Sequence, residues 1–325
     1  MPNKYTNKKG WKIPKQRYKV TNWSDYNDAL RQRGNIEIWM ASDLADYWYE
    51  QDRVYDGTGT PKEYTDLSIM ICHEVRQVYK LPLRQCQGFI DSIFKIQNMS
   101  LRSPDYSCLS KRLAALHILS PRYKKADKAD DKIAAIAIDS TGLRQFAHDE
   151  WQTEKHGLKR KKSWRKLHIA VDDQHIIHAS ELTDRSVSDD SMVTHLVAQT
   201  EHDVVHVTAD GAYDKNKVYD TLSDAFQNAD IIIPPKSNSV YDNDNHAQRN
   251  RNFQEIKTFG RMKWQKVRNY GKRNFSELVM YRYKKILGPA LHAREMMRQK
   301  CEAILGCGIL NRMSGLGMPI SCRIA

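Results

Sequence analysis

One short segment near the middle of the chain limits its possible folds more than any other. Residues 133–138, IAAIAI, form a near-continuous apolar run that ends at Asp139, which is typical of a strand buried on both faces of a sheet. The preceding residues 120–132 are polar, highly charged and contain proline, and they separate regions of different periodicity. We therefore predict two domains, residues 1–120 and 121–325.

The first domain has helical periodicity throughout, from about residue 22 to residue 119. Apolar residues recur at three- and four-residue steps from Leu67 to Tyr79, which predicts an amphipathic helix. A second helix is predicted at 83–97, and a third begins after Ser103, the predicted N-cap. Three short helices in succession resemble a DNA-binding helix-turn-helix unit, although an ordinary all-α domain has the same pattern.

The second domain alternates between strand-like and helical patterns. Further strands are predicted at 167–171, 175–181, 204–208 and 231–233, and helices at 190–200, at 215–226 and after Gly271. Residues 237–252 are rich in Asn, Asp and Arg and are predicted to form a mobile loop. This order predicts an α/β fold, a mixed sheet covered by helices.

The net charge of +13 indicates a polyanionic partner, and nucleic acid is favoured. A basic protein that is merely soluble is the alternative. No apolar run approaches the roughly 18 residues that a spanning helix needs, and the amino-terminal residues lack the apolar core of a secretory signal. We therefore expect a cytoplasmic protein without a membrane partner. The six cysteines include no CxxC pair, and we predict them to be small buried hydrophobic residues.

Two acidic residues follow predicted strands. Asp139 ends the run IAAIAI, and Asp210 follows the strand predicted at 204–208. Because open α/β sheets place their sites at the carboxyl ends of strands, the two carboxylates would converge if these strands are neighbours. Carboxylate oxygens are the ligands that Mg²⁺ or Mn²⁺ prefers. Either residue alone has a simpler interpretation as a turn residue or a helix cap.

A polar face on the last predicted helix of this region supplies a third acidic residue. Tyr270, Arg273, Glu277, Tyr281 and Lys284 fall within an arc of about 80°. The opposite face, predicted to pack, carries six apolar residues: Phe275, Leu278, Val279, Tyr283, Ile286 and Leu287. A polar face of this kind is either functional or simply solvated.

Residues 155–166, KHGLKRKKSWRK, contain seven Lys or Arg in twelve positions between the first two strands of the predicted sheet. Phosphate neutralisation is the favoured interpretation, against a solvated loop. Trp164 would stack on an unpaired base or anchor a hairpin. The candidate DNA contacts here and on the third helix of the first domain are Lys159, Arg160, Lys161, Lys162, Trp164, Arg165, Lys166, Lys111 and Arg112.

The spacing Tyr-x2-Arg-x3-Glu-x6-Lys, formed by Tyr270, Arg273, Glu277 and Lys284, resembles the signature of DDE transposases in the bacterial family named after insertion sequence five. Four further segments resemble that family: LRQCQGF at 83–89, WRKLH at 164–168, DGAY at 210–213 and LNRM at 310–313. The resemblance implies a ribonuclease H-like catalytic core preceded by an all-helical DNA-binding domain.

The same resemblance implies that Asp139, Asp210 and Glu277 are the catalytic residues and hold two Mg²⁺ or Mn²⁺ ions. These ions would cut DNA at transposon ends and join the freed 3′-hydroxyl to target DNA. Lys284 and Arg273 would contact phosphates, whereas Tyr270 would contact the terminal nucleotide or simply pack.

The implied partner is double-stranded DNA, as terminal inverted repeats and as target, bound by a homodimer at the bacterial nucleoid. Two competing hypotheses remain. One is an inactive, transposase-derived DNA-binding protein or repressor, and the other is a metal-dependent nuclease that cuts without rejoining. Strand-transfer products would exclude the nuclease.

Overall fold

The computed structural model describes residues 17–40, 43–51, 57, 62–116, 118, 121, 132–145 and 164–324. The candidate DNA contacts Lys159, Arg160, Lys161 and Lys162 lie outside the described residues. So does most of the polar segment on which the predicted domain boundary rests, and that boundary stays a prediction. In the part of the chain that the structure describes, no helix has both the length and the apolar surface to cross a membrane.

A five-stranded mixed sheet forms the centre of residues 132–324. Its strands are β2 (Ile136–Arg144), β3 (Trp164–Asp172), β4 (Ile177–Asp184), β5 (His206–Thr208) and β6 (Asp230–Ile232), in the order β4-β3-β2-β5-β6. Strand β3 is antiparallel to both neighbours, whereas β2, β5 and β6 run parallel. This arrangement, a hairpin meander continued by parallel crossover strands, is ribonuclease H-like, as the sequence resemblance implied.

Helices cover both faces of the sheet. On one face, α6 (Val193–Ala198) and α7 (Asn216–Ala225) pack their apolar residues against Ile136, Ile138 and Val207. On the other face, α10 (Asn274–Ile286) and α11 (Met296–Gly315) cover Leu167 and Ile169. Because β2 is buried on both faces, its sequence is a continuous apolar run rather than an alternating one.

A second core is built from the helices that precede the sheet. These are α1 (Trp23–Gln32), α2 (Ile36–Trp39), α3 (Asp66–Val78), α4 (Leu83–Ile96) and α5 (Tyr106–Leu113). The predicted helices at 67–79 and 83–97 are thereby confirmed. The predicted N-cap of the third helix is wrong: Asp105 caps it by accepting from the Ser107 amide at 2.8 Å, while the Ser103 hydroxyl donates to Asp91 at 2.7 Å.

Helix α11 belongs to both cores. Cys301, Leu305 and Ile309 pack among the amino-terminal helices, while Ala303, Cys307 and Leu310 pack against the sheet. At the ends of the described chain, β1 (Arg17–Val20) pairs antiparallel with β7 (Ser321–Ile324). Residues beyond 295 therefore complete the helical region near the amino terminus as well as the sheet region.

Helices replace part of the loop predicted at 237–252. Helix α8 (Ala247–Phe259) begins inside that segment, and α9 (Arg261–Val267) follows after Gly260, which has a φ of 79°. Helix α8 is held by polar contacts: Gln248 accepts from the Ile231 amide at 2.8 Å and Asn252 donates to the Ile231 carbonyl at 2.9 Å. The sequence of α8 has only weak apolar periodicity, because the contacts of this helix with edge strand β6 are made by side-chain amides. The helix was therefore not predicted from the sequence.

The opposite edge of the sheet is covered in the same way. On α11, Asn311 accepts from the Ile177 amide of β4 at 2.8 Å and donates to the Ile177 carbonyl at 2.8 Å. One residue on each edge strand, Ile177 of β4 and Ile231 of β6, therefore has its backbone N–H and C=O bonded to side-chain amides.

The cysteines follow the prediction only in part. All six are free; Cys72, Cys86, Cys301 and Cys307 are buried, whereas Cys108 is half-buried and Cys322 in β7 is exposed.

Candidate active site

The register of two parallel strands brings Asp139 and Asp210 to the same level of the sheet. Ala137 pairs with Thr208, and two residues further along each chain come Asp139 and Asp210. Asp210 follows β5 as predicted. Asp139, however, does not end its strand, because β2 continues to Arg144 in its pairing with β3. The prediction that Asp139 stands at a strand end is wrong: the antiparallel partner extends β2 beyond its apolar run.

Asp139 is largely buried, with 15% of its side chain exposed. One carboxylate oxygen accepts from the Ser140 amide at 2.8 Å. The other accepts from Arg273 at 3.1 Å and from the Ser276 hydroxyl at 3.2 Å. Burial raises the pKa of Asp139, an effect that the Ser140 amide and Arg273 oppose. The positive charge of Arg273 therefore favours the ionised form of this carboxylate.

Asp210 is held by the turn that follows it. Its carboxylate accepts from the Ala212 amide at 2.8 Å, which caps the 3₁₀ turn Gly211–Tyr213. Glycine suits this position because a Cβ would lie 3.1 Å from the carbonyl oxygen of Pro234, which is closer than most Cβ contacts. The motif DGAY thus fixes the backbone around Asp210 by close approach to the end of β6.

Glu277 lies in the first turn of α10, with 37% of its side chain exposed. The guanidinium of Arg273 donates to Glu277 and to Asp139, and Arg273 is only 6% exposed. Arg273 therefore connects Asp139 with Glu277. A contact from Arg273 to DNA would require it to release one of these carboxylates.

Tyr270 connects the same turn to Asp210. Its hydroxyl donates to the Ala209 carbonyl at 3.2 Å, and its ring lies 5.3 Å from that of Trp264. Burial raises the pKa of Tyr270 to about 12, so the hydroxyl stays protonated as a donor. Of the two roles that the sequence left open for Tyr270, these contacts fit packing.

The predicted packing face of α10 is only partly correct. Val279 and Tyr283 are buried, but Leu278 is 41% exposed. Tyr281 is 64% exposed and Lys284 is half-buried, and burial lowers the pKa of Lys284. Arg273 and Ser276 contact Asp139. Leu278, two residues after Ser276, lies on the opposite side of the helix and therefore faces solvent.

The basic residues at the start of β3 have internal partners. Lys166 donates to the Val187 carbonyl at 2.8 Å and pairs with Asp189 at 3.1 Å. Arg165 donates to Gln299 at 2.9 Å and pairs with Asp184. Trp164 is 37% exposed and packs so closely on Gly142 that a Cβ there would meet the indole at 3.2 Å.

The two candidate contacts on α5 differ from one another. Arg112 donates to the Tyr64 carbonyl at 2.9 Å and pairs with Asp66, whereas Lys111 is exposed. Lys111 is the more accessible of the two for a DNA contact.

Two residues of the site were missed from the sequence. Ser276 follows Arg273 by three positions on the same helical turn, and this spacing was the signal available for its contact with Asp139. Trp264 supports Tyr270 and donates to Asn252 at 3.4 Å. Nothing local identifies Trp264, because its partners come from other parts of the chain.

The chemistry of the three carboxylates fits a divalent metal. Among the described residues, no three His, Cys, Asp or Glu side chains form a cluster arranged to hold a metal. The donor oxygens of Asp139, Asp210 and Glu277 are nevertheless of the kind that Mg²⁺ and Mn²⁺ bind. The place between Asp139 and Glu277 already holds a positive charge, the Arg273 guanidinium.

Comparison with known proteins identifies the class. The family description "Transposase DDE domain" matches residues 31–148 and, in a second family model, residues 130–312. A similar solved structure is the cryo-EM structure of the piggyBac transposase synaptic complex with hairpin DNA, with 10% sequence identity and a TM-score of 0.41, covering 92% of this chain and 78% of that one. The second family match spans more than half of the chain and includes Asp139, Asp210 and Glu277, and the chain therefore belongs to the family of transposases with a DDE domain.

Proposed function

We propose that the protein is a DNA transposase that cuts DNA at the ends of its element and joins the freed 3′ ends to target DNA. Asp139, Asp210 and Glu277 are its catalytic residues. The observation that carries this proposal is the parallel pairing of β2 with β5, which aligns Asp139 with Asp210, together with Arg273 linking Asp139 to Glu277.

The three carboxylates would hold two Mg²⁺ or Mn²⁺ ions, which activate water and stabilise charge on the entering and leaving oxygens of the phosphate. The chain itself supplies orientation. The Ser140 amide and the Ser276 hydroxyl fix the two oxygens of Asp139, and the Ala212 amide fixes Asp210. Such preorganised ligands do not have to be ordered during the reaction.

Arg273 favours the ionised form of Asp139 and links it to Glu277. The buried position of Asp139 disfavours its charge, and a hydrogen-bonded guanidinium offsets that effect. We propose that Arg273 and Lys284 also neutralise DNA phosphates at the site, Arg273 doing so after it exchanges one of its carboxylate partners for a phosphate oxygen.

The helical region, residues 1–120, is the proposed binding module for double-stranded transposon ends. Lys111 is its exposed candidate contact, and the basic segment 155–166 would add further phosphate contacts. A homodimer acting at the nucleoid would hold two ends together. Membership of the narrower family named after insertion sequence five stays part of this proposal, resting on the signature from Tyr270 to Lys284.

The proposal is tested by incubating the purified protein and Mg²⁺ with plasmid DNA that carries the element's ends. Asp139→Asn, Asp210→Asn and Glu277→Gln remove one charge each with little change in shape. Asp224→Asn is the matched control, since Asp224 is an exposed carboxylate on α7. We expect cleavage and strand-transfer products from the unsubstituted protein and Asp224→Asn, and none from the other three variants.

Each alternative has its own outcome in the same assay. End binding without cleavage in Mg²⁺ or Mn²⁺ would favour the inactive repressor. Cleavage without any joined product, when a pre-cut end with a free 3′-hydroxyl is supplied, would favour the nuclease. Cleavage that survives all three substitutions would refute the assigned catalytic residues.

A further inference from the structure

In one stretch of chain near the active site, all the charged side chains are positive. From Glu255 to Glu277 the chain contains seven Lys or Arg and no intervening Asp or Glu. This stretch covers the end of α8, all of α9 and the turn that carries Tyr270 and Arg273. Six of these charges fall into two groups: Arg268 and Arg273 are directed inward onto carboxylates, and four cations are exposed.

The inward group is neutralised by carboxylates. Arg268 pairs with Glu255 and, at 3.3 Å, with Asp230, while Arg249 at the other end of α8 makes a bidentate pair with the buried Asp214 at 2.8 and 3.2 Å. Together with the amide contacts of Gln248 and Asn252 to β6, these pairs fix α8 and α9 on the sheet edge. The outward side chains are therefore presented by a rigid support.

The outward group is exposed and mixed with apolar residues. Lys257, Arg261, Lys263 and Lys266 are exposed cations. Beside them, Phe259 is 52%, Met262 66% and Val267 63% exposed, and the ammonium of Lys263 lies 4.7 Å from the centre of the Phe259 ring. We call these seven residues the basic-apolar face. Exposed apolar residues interleaved with cations are typical of a surface that contacts both the backbone and the bases of nucleic acid.

This face is joined directly to the active site. Trp264, the buried residue of α9, packs on Tyr270, whose hydroxyl bonds to the residue before Asp210. Three residues after Tyr270 comes Arg273, in contact with Asp139 and Glu277. The helix that carries most of this face is therefore linked through Trp264 and Tyr270 to the turn that holds Arg273 at the carboxylates.

We propose that the basic-apolar face binds the duplex DNA that leads into the active site, with its four cations on phosphates and its apolar side chains against sugars and base edges. This inference rests on the proposed function, because the occupant is the DNA that is to be cut. The face complements DNA in charge, and internal contacts hold its supporting helices α8 and α9 against the sheet edge.

The cations are tested with the double variant Lys263→Gln/Lys266→Gln. Its matched control is Lys132→Gln/Lys217→Gln. This variant loses the same charge from two exposed lysines outside the face, one before β2 and one on α7. Affinity for a fluorescent duplex carrying the element's end is measured without divalent metal over a range of salt concentrations. The slope of log K against log salt is negative, and each lost phosphate contact makes it shallower by about 0.9. We therefore expect the slope of the face variant to be shallower by about 2 and the slope of the control to be unchanged.

Equal slopes for the two double variants would overturn the inference. Thermal unfolding of both variants checks that they fold. The result is independent of catalysis, because no divalent metal is present. A protein that binds through this face and never cleaves would refute only the proposed function, and one that cleaves with an unchanged slope would refute only the face.

The apolar part is tested by Met262→Gln against Val240→Gln, which changes another exposed apolar residue, 72% exposed in the loop before α8. We expect Met262→Gln to weaken duplex binding by about fivefold, or roughly 1 kcal/mol, with an unchanged salt slope, and Val240→Gln to leave binding unaltered. Equal affinities of these two variants would refute the apolar contacts.

Discussion

Two glycines on α11 allow a sharp test of how this helix packs. A Cβ at Gly306 would lie 2.7 Å from the hydroxyl oxygen and 2.9 Å from a ring carbon of Tyr283, and 2.9 Å from a methyl of Leu287. Tyr283 is a rigid buried side chain at the end of α10 and cannot move aside freely. At Gly308, two residues further along, a Cβ meets no atom within 4 Å.

The two alanine substitutions should therefore have opposite effects. Replacing glycine by alanine inside a helix stabilises it by about 1 kcal/mol. Gly308→Ala gains this amount without a clash. Gly306→Ala gains the same amount but overpacks the contact with α10, which costs about 1–3 kcal/mol and more if α10 is displaced. We expect Gly308→Ala to be more stable than Gly306→Ala by about 2 kcal/mol.

The measurement is urea unfolding of both variants and the unsubstituted protein, followed by circular dichroism and tryptophan fluorescence. Because α10 carries Glu277, Gly306→Ala should also reduce end cleavage, whereas Gly308→Ala should not. Equal stabilities of the two variants, or a Gly306→Ala protein more stable than the unsubstituted one, would refute the packing of α11 on Tyr283.

Two further predictions concern charge. Burial lowers the pKa of His73 from 6.5 to about 4, so the unfolded chain takes up a proton below pH 6.5 that the folded chain refuses until about pH 4. As the pH is lowered across this range, the free energy of unfolding should fall by about 1 kcal/mol for each pH unit, and it should fall less steeply in His73→Gln. The urea midpoint of each protein is measured at pH 7 and pH 5, and an equal change of the midpoint in the two proteins would contradict this. Arg273→Gln removes the cation beside Asp139 and Glu277, so we expect the variant to bind Mn²⁺ about tenfold more tightly than the unsubstituted protein. Electron paramagnetic resonance of free Mn²⁺ measures this binding. Weaker or unaltered binding would show that Arg273 does not compete with the metal.

The sequence predicted the parts of this protein that depend on local pattern. The apolar run before Asp139 and the strand before Asp210 placed the two carboxylates on and just after neighbouring strands, and the helical spacing from Tyr270 to Lys284 placed Glu277 on a helix. Apolar periodicity does not show how far an antiparallel partner extends a strand. For this reason the continuation of β2 past Asp139, which depends on its pairing with β3, was not predicted. Periodicity also does not show whether a cation on a polar face turns inward, as Arg273 does.

Other features depend on contacts between distant residues. The start of helix α8 was predicted as loop because Gln248 and Asn252, which fix it, are polar residues bonded to β6. The cap of α5 was misassigned because Ser103 and Asp105 are both good capping residues two positions apart, and tertiary contact with Asp91 engages the serine. The roles of Trp264 and Ser276 depend on partners that local pattern does not reveal.

The amides that cover the sheet edges restrict how two copies of this protein can associate. A second molecule that added a strand beside β4 or β6 would need the free N–H and C=O of Ile177 or Ile231, and those groups are already bonded to Asn311 on one edge and to Gln248 and Asn252 on the other. Extension into an intermolecular sheet, the common hazard of open edges, is therefore blocked at both positions. Two subunits brought together at paired DNA ends are therefore not expected to pair strands at Ile177 or Ile231, and a crosslink between these positions of different subunits should not form.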